Sequence, residues 1–302
     1  MKFFVSNPPH VLSPVTTRRL MLNVVLALIP AAAMGVYNFG LPALWVLLVS
    51  SASAVLMELI WQLLARKPIR VDDFSALVTG LLLGLTLPPT TPLWMTAAGS
   101  AFAILVAKQF FGGLGYNFMN PALTARAMLL ISWPAAMSAY VAPGADAVSS
   151  ATPLNQTFEW MDLFLGKIPG SIGEVSKLML LAGLVWLLVT STISIRIPLS
   201  MVVGACLTGW IVGANPWMEI MSGGLLFAAI FMATDYVTCP RPGPGQWLYG
   251  LGCGVLTVLM RHFGAYPEGV TFAILTMNVF TPLIDRAIRP RIYGHGRRER
   301  HA

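Results

Sequence analysis

The chain is a succession of apolar runs, and that feature limits its fold more than any other. Ten runs can be traced, over residues 20–36, 43–64, 76–87, 93–110, 122–137, 177–193, 199–212, 217–233, 247–260 and 270–284. A helix that crosses hydrocarbon needs about 20 mostly apolar residues, and fewer where it is broken inside protein. Hydrophobic residues make up 56% of the 302 positions and charged residues only 10%, against about 25% charge in a soluble domain. A globule of this size cannot hide so much apolar surface. A disordered chain, a nucleic-acid module and an ordinary cytosolic enzyme are thereby excluded. The pattern predicts an all-α polytopic membrane protein with about ten transmembrane helices, some of them broken.

Charge sets the expected orientation. With the N-terminus inside, the cytoplasmic side receives Lys2, Arg18, Arg19, Arg66, Lys67, Arg70, Lys108, Arg196, Arg241 and the basic tail of 286–302. That accounts for 15 of the 19 Lys and Arg, as the positive-inside rule requires. Both termini are expected in the cytoplasm and the polar stretch 138–176 outside. The net charge of +7 is then read as contact with anionic lipid rather than with nucleic acid. Arg18 and Arg19 before the first run mark it as an uncleaved anchor. Cys206, Cys239 and Cys253 form no C-x-x-C pair and sit in or beside apolar segments, which argues against a disulfide framework or a complete iron–sulfur site.

The chain also holds a faint copy of itself. Phe102-Ala103-Ile104-Leu105-Val106 and Phe111-Gly112-Gly113 recur as Gly254-Val255-Leu256-Thr257-Val258 and Phe263-Gly264-Ala265, at an offset of 152 residues. Upstream, Ser75-Ala76-Leu77-Val78-Thr79-Gly80 loosely mirrors Ser222-Gly223-Gly224-Leu225-Leu226-Phe227. Five runs per half is an odd number, so two related halves (1–137 and 177–285) must enter the membrane in opposite directions. Binding sites in inverted repeats are expected where helices are interrupted by Gly and Pro. Such interruptions occur at 87–92, 112–121, 235–245 and 264–269. Tight interhelical turns without a ligand remain the alternative reading of these breaks.

Individual ionisable groups in the runs are costly. Glu58 lies inside the second run with no partner visible nearby, and is read as either an ion-path residue or a structural one. Arg126 could pair with Asp235, Glu268 or a cofactor. Asp72 and Asp73 are expected to balance Arg66, Lys67 and Arg70, and His262 to be a solvated loop residue. Tryptophans 45, 61, 94, 133, 217 and 247 mostly stand at run ends, as an interfacial belt does.

In the outer stretch, Asp146-Ala147-Val148-Ser149-Ser150-Ala151-Thr152-Pro153-Leu154 is a segment of small residues ending in a hydroxyl beside proline. It resembles the flavin-attachment motif of the D subunit of the Rnf electron-transport complex and of the related B subunit of the sodium-pumping NADH:quinone oxidoreductase. Met232-Ala233-Thr234-Asp235, the stretch from Ala107 through Asn120-Pro121-Ala122, and 266–285 resemble the same family in the same order. The resemblance implies FMN joined through its phosphate to Thr152, with Asp146 and Ser149 read by a flavin transferase. It also implies a second, non-covalent flavin, riboflavin, held among the broken helices around Asn117–Asn120 and Thr234–Asp235. The implied partners are the other subunits of an Rnf-type complex, and the implied place is the bacterial cytoplasmic membrane. The implied activity is electron relay coupled to Na⁺ or H⁺ transport, as one subunit of a ferredoxin/NAD oxidoreductase that is incomplete alone. Phe74 stands where that family often has glycine, and Phe118 and Tyr236 where it often has proline. Ten helices in inverted repeats would serve a small-solute channel or transporter equally well, and a membrane scaffold would carry no cofactor. The Thr152 loop discriminates, because a transporter has no use for a tethered flavin.

Overall fold

The computed structural model describes residues 15–143, 148–149, 160–166, 168–264 and 269–288. Helix α1 (Thr17–Phe39) opens on Thr16, whose hydroxyl accepts the Arg19 N–H, a standard N-cap. It ends at Gly40, and α2 (Leu41–Leu64) turns straight back with Pro42 in its first turn, where a missing N–H costs nothing. These two are long and apolar enough to cross a membrane on their own. A 3-10 turn over Val71–Asp73 leads to α3 (Ser75–Thr86). Asp73 does not pair with the neighbouring bases. Its Oδ1 accepts the backbone N–H and the hydroxyl of Ser75, at 2.8 and 2.7 Å, and so starts α3.

Helix α3 stops at Leu87-Pro88-Pro89, since proline supplies no N–H and restricts the residue before it. Helix α4 (Leu93–Phe102) runs on as a π-helical stretch over Ala103–Gln109. The fifth run, expected as one span, is two helices: α5 (Pro121–Ser132) and the short α6 (Pro134–Met137), because Pro134 cannot continue the ladder. Strands β1 (Tyr140–Val141) and β2 (Val148–Ser149) pair antiparallel, with Tyr140 opposite Ser149. Then come α7 (Trp160–Leu165), α8 (Lys177–Val189) and α9 (Arg196–Val212). The eighth run is also broken. It comprises α10 (Pro216–Met221), a turn at Ser222-Gly223-Gly224, and α11 (Leu225–Phe227), which passes into a π-helical stretch over Ala228–Met232. Gly223 has φ +63°, a backbone state that glycine adopts without steric cost. Helices α12 (Gly243–Phe263) and α13 (Val270–Ala287) complete the bundle.

The result is an all-α membrane protein, with the β1–β2 hairpin as its one sheet among the described residues. Helix α1 packs on α8, α2 on α3 and α4, α9 on α12, α12 on α13, and α5 on both α3 and α13. Small residues set the closest approaches, as expected where helices pack without a hydrophobic driving force between them. A Cβ on Gly80 would lie 2.7 Å from the Ser50 carbonyl of α2, and one on Gly254 would lie 2.2 Å from the Met201 carbonyl of α9. Contacts between loops gather at two opposite ends. At the end where α1 begins, the arginine end, Asn23 reaches Thr192, Tyr236 reaches the Thr192 carbonyl, and the Arg18 guanidinium lies 5.5 Å from the Phe74 ring. At the other, the loop end, Asn38 reaches the Gly166 carbonyl and Thr90 that of Ala139.

Candidate functional site

Glu58 has a partner after all, and it comes from 50 residues away. Lys108 Nζ lies 3.0 and 2.8 Å from the two Glu58 carboxylate oxygens and 2.7 Å from Ser75 Oγ. Gln109 Nε2 donates to Glu58 Oε1 at 2.9 Å, and Gln62 approaches it at 3.4 Å. The sequence placed Lys108 among the cytoplasmic charges, yet it is 2% exposed, and Glu58 is 3% exposed. A buried carboxylate without a cation would cost several kcal/mol, so pairing is what burial demands. The π-helical stretch is what allows it, turning Lys108 and Gln109, adjacent in sequence, onto one carboxylate. Lys108 could have been found by asking which base at a run end can reach a buried acid.

Beside this ion pair opens a cleft between the broken elements. Ser75, Thr79 and Lys108 form one side, Leu114, Asn117 and Asn120 another, and Ile230, Phe231, Thr234 and Asp235 a third, with Met21 and Val24 of α1 and Leu187 of α8 adding apolar wall. Asn120 organises it. Its Oδ1 accepts the N–H groups of Ala122 and Leu123 at 3.0 and 3.3 Å, capping α5, while its Nδ2 donates to the Met232 carbonyl at 3.1 Å. One side chain thus ties the start of α5 to the end of the π-helical stretch 228–232, where a carbonyl is left over by the helix terminus. Thr234 donates back to the Ile230 carbonyl at 2.6 Å.

Asp235 lies just past that stretch, in the loop at the arginine end. Burial pushes its carboxyl above the ordinary range, while the Thr238 hydroxyl, the N–H groups of Val237 and Tyr236, and the charge on Lys108 act the other way. The Tyr236 hydroxyl donates to the Thr192 carbonyl, a tie that proline at this position could not make. Phe74 takes φ +62°, which explains why glycine suits that place, and the Arg18 contact covers its ring.

Asn120, Thr234 and Asp235 therefore meet in one cleft. Ser149 lies at the opposite end of the bundle, its backbone paired with Tyr140. Asp146 and Thr152 fall outside the described residues, as does Glu268. Arg126 is buried on α5. His262 is solvent-exposed as expected, but it stands in the last turn of α12 rather than in a loop, and its Nε2 is 2.8 Å from Glu219 Oε1, while Arg261 reaches Glu219 Oε2 at 2.9 Å. Sequence reading missed Ser75 and Lys108 as lining residues, whereas Asn117, at the edge of the expected 117–120 region, does line the cleft.

Residues 4–294 match the NQR2, RnfD, RnfE family. The chain belongs to that family. It is 45% identical over 302 residues to the D subunit of the Na(+)-translocating ferredoxin:NAD(+) oxidoreductase complex of Acetobacterium woodii, covering 96% of this chain and 95% of that one. It is 42% identical to the D subunit of the Proton-translocating ferredoxin:NAD(+) oxidoreductase complex of Clostridium ljungdahlii, over 97% and 96% of the two chains. With the D subunit of the Ion-translocating oxidoreductase complex of Stutzerimonas stutzeri it shares 41% identity over 93% of each. Two relatives at nearly equal identity thus carry different ions in their names, so overall likeness does not fix the ion.

Proposed function

We propose that this chain is the flavin-carrying D-type subunit of an Rnf-type complex, relaying electrons between ferredoxin and NAD⁺ in step with Na⁺ or H⁺ movement. The observation that carries this is end-to-end similarity to subunits so named in several bacteria. Its partners are the other subunits of that complex, the flavin transferase that matures it, and lipid. FMN is held through its phosphate by Thr152, with Asp146 and Ser149 as the motif positions the transferase reads. Flavin supplies the exchange of two electrons for single ones, and the protein supplies position.

The arginine end faces the cytoplasm and the loop end the outer side of the bacterial membrane. The ten crossings form two inverted five-helix repeats. Two features support the repeat. The basic residue near the end of the fourth crossing reaches a serine of the third in each half: Lys108 to Ser75 Oγ, and Arg261 to the Ser222 carbonyl at 3.2 Å. The first crossings, α1 and α8, also pack on each other, as do the fifth, α5 and α13, as a two-fold axis between the halves requires.

The cleft suits a second, non-covalent flavin. Apolar walls from Val24, Leu114, Ile230 and Phe231 match a flat aromatic ring system, and Ser75, Asn117, Asn120, Thr234 and Asp235 offer donors and acceptors for its polar edge. Riboflavin is the form such a site would take, since among the described residues the walls hold only one cation, Lys108, and that is already committed to Glu58.

The test is direct. The chain is expressed with its flavin transferase, denatured, run on a gel and illuminated. A fluorescent band that disappears in Thr152→Ala supports the reading. A dark band in the intact chain, or peptide mass spectrometry showing Thr152 unmodified, overturns it.

A further inference from the structure

The return leg of the loop, between α7 and α8, has no regular structure, yet every residue from 168 to 176 is buried. It enters a slot at the loop end. Ile172 N–H donates to the Leu87 carbonyl at 3.1 Å and Gly173 N–H to that of Leu85 at 2.7 Å, using carbonyls that the end of α3 leaves open. A Cβ on Gly35 of α1 would lie 2.5 Å from the Ile172 carbonyl, and one on Gly173 would lie 2.7 Å from Leu85 Cβ. Only a leg of this shape fits between those helices.

Its charged end grips the second half of the molecule. Glu174 Oε1 accepts the Ser171 N–H at 3.0 Å, and Lys177 Nζ donates to the Glu174 carbonyl at 2.5 Å and towards that of Gly223 at 3.4 Å. Glu174 is 6% exposed and Lys177 is fully buried. The Glu174 carboxylate lies against Gly224, where a Cβ would come within 2.7 Å of Oε2. From the far side, Arg261 of α12 donates to the carbonyls of Glu219 and Ser222, at 2.6 and 3.2 Å. The turn 222–224 is thus clasped between the loop's return leg and α12. That turn begins α11, which continues as the π-helical stretch 228–232. The stretch ends at the Met232 carbonyl held by Asn120, and Thr234 and Asp235 follow in the cleft. A π-helix differs from an α-helix by one hydrogen-bond register, so this connector has a second arrangement close at hand.

We propose that 168–176 is a coupling strap, with Glu174 and Lys177 as positioning residues. The strap carries a displacement of the outer loop through the 222–224 turn and along 225–232 to the cleft at the arginine end. The mechanical path rests on geometry alone, whereas its service to redox-driven transport rests on the function proposed above. Two-way communication between sites requires a connector that both ends bias, and this one is contacted at one end by the strap and at the other by Asn120.

Hydrogen–deuterium exchange on the whole chain in detergent tests the path without any electron transfer. Glu174→Gln keeps the side chain's size and removes its charge. Exchange is expected to rise about ten-fold, the effect of turning one charge-assisted hydrogen bond into a neutral one, in 168–176 and in 225–237 together, with 93–109 unchanged. A rise confined to 168–176, or one spread over the whole chain, overturns the proposal. Lys177→Met provides the second variant and the same pattern is expected. In the assembled complex reconstituted in vesicles, Glu174→Gln is expected to keep ferredoxin:NAD⁺ electron transfer while the ions moved per electron fall at least two-fold. An unchanged ratio, or equal loss of both, overturns it. Failure of the flavin reading would be seen separately, as a Thr152→Ala complex that still transfers electrons normally.

Discussion

Glu58 and Glu219 are both buried carboxylates held by a base more than 40 residues further along the chain, but they are held differently. Glu58 depends on one cation, Lys108, sealed among Gln62, Ser75 and Gln109. Glu219 has two basic neighbours, Arg261 and His262, and the imidazole is about one-third exposed. The helices that present them differ as well: α4 must run into a π-helical stretch to bring Lys108 and Gln109 together, while α12 stays α-helical to Phe263. A single sealed partner makes the first site rigid and intolerant of change. A shared, partly wet site leaves the second with a reserve. The two buried carboxylates thus have two electrostatic characters, one closed and one in touch with water.

Four substitutions would break or sharpen that contrast. Lys108→Met strands the Glu58 carboxylate and is expected to cost about 3–5 kcal/mol, read from unfolding in detergent by tryptophan fluorescence. Adding Glu58→Gln to it is expected to recover most of the loss, since a charge is the thing left unpaired. A double variant no better than the single would mean that Lys108 acts through packing instead. Arg261→Met is expected to cost roughly half as much, about 2 kcal/mol, because His262 still faces Glu219. Equal costs at the two sites would erase the distinction between them. His262→Asn is expected to change stability by less than about 1 kcal/mol, as a partly exposed ion pair does.

The smallest effect is expected at Phe74→Gly. Relief of the left-handed backbone, worth about 1–2 kcal/mol, is offset by loss of the Arg18 contact, worth about 0.5–1 kcal/mol. The variant should be within about 1 kcal/mol of the parent, on the stable side. A clear loss of stability would show that the ring matters more than its backbone.

Much of this was legible in the residues. The apolar runs locate the helices and Pro88 marks where one ends, but the breaks at Pro134 and at the glycines of 222–224 fall inside runs that read as whole. Asn120, Thr234 and Asp235 were picked from separate interrupted segments, and they line a single cleft. The basic residues were read as one class, and there the reading failed. Lys108 looks like any other lysine at a helix end until its neighbours are known, because burial depends on what packs against a helix and not on its own sequence. The Glu219 partner of exposed His262 is likewise invisible in the sequence, because it comes from another helix. The return leg 168–176 reads in the sequence as part of a polar outer stretch, since glycine and serine signal a loop. Those small residues are what let it slip between α1 and α3.

By itself the sequence determined the solvent this protein lives in, the family it belongs to and most of the points at which its helices are interrupted, because each follows from local composition and order. Only the tertiary structure decided which charges are partners, which loop is buried and which breaks share a cleft. Those depend on groups more than 40 residues apart meeting in an interior where an unpaired charge or a spare methyl has nowhere to go.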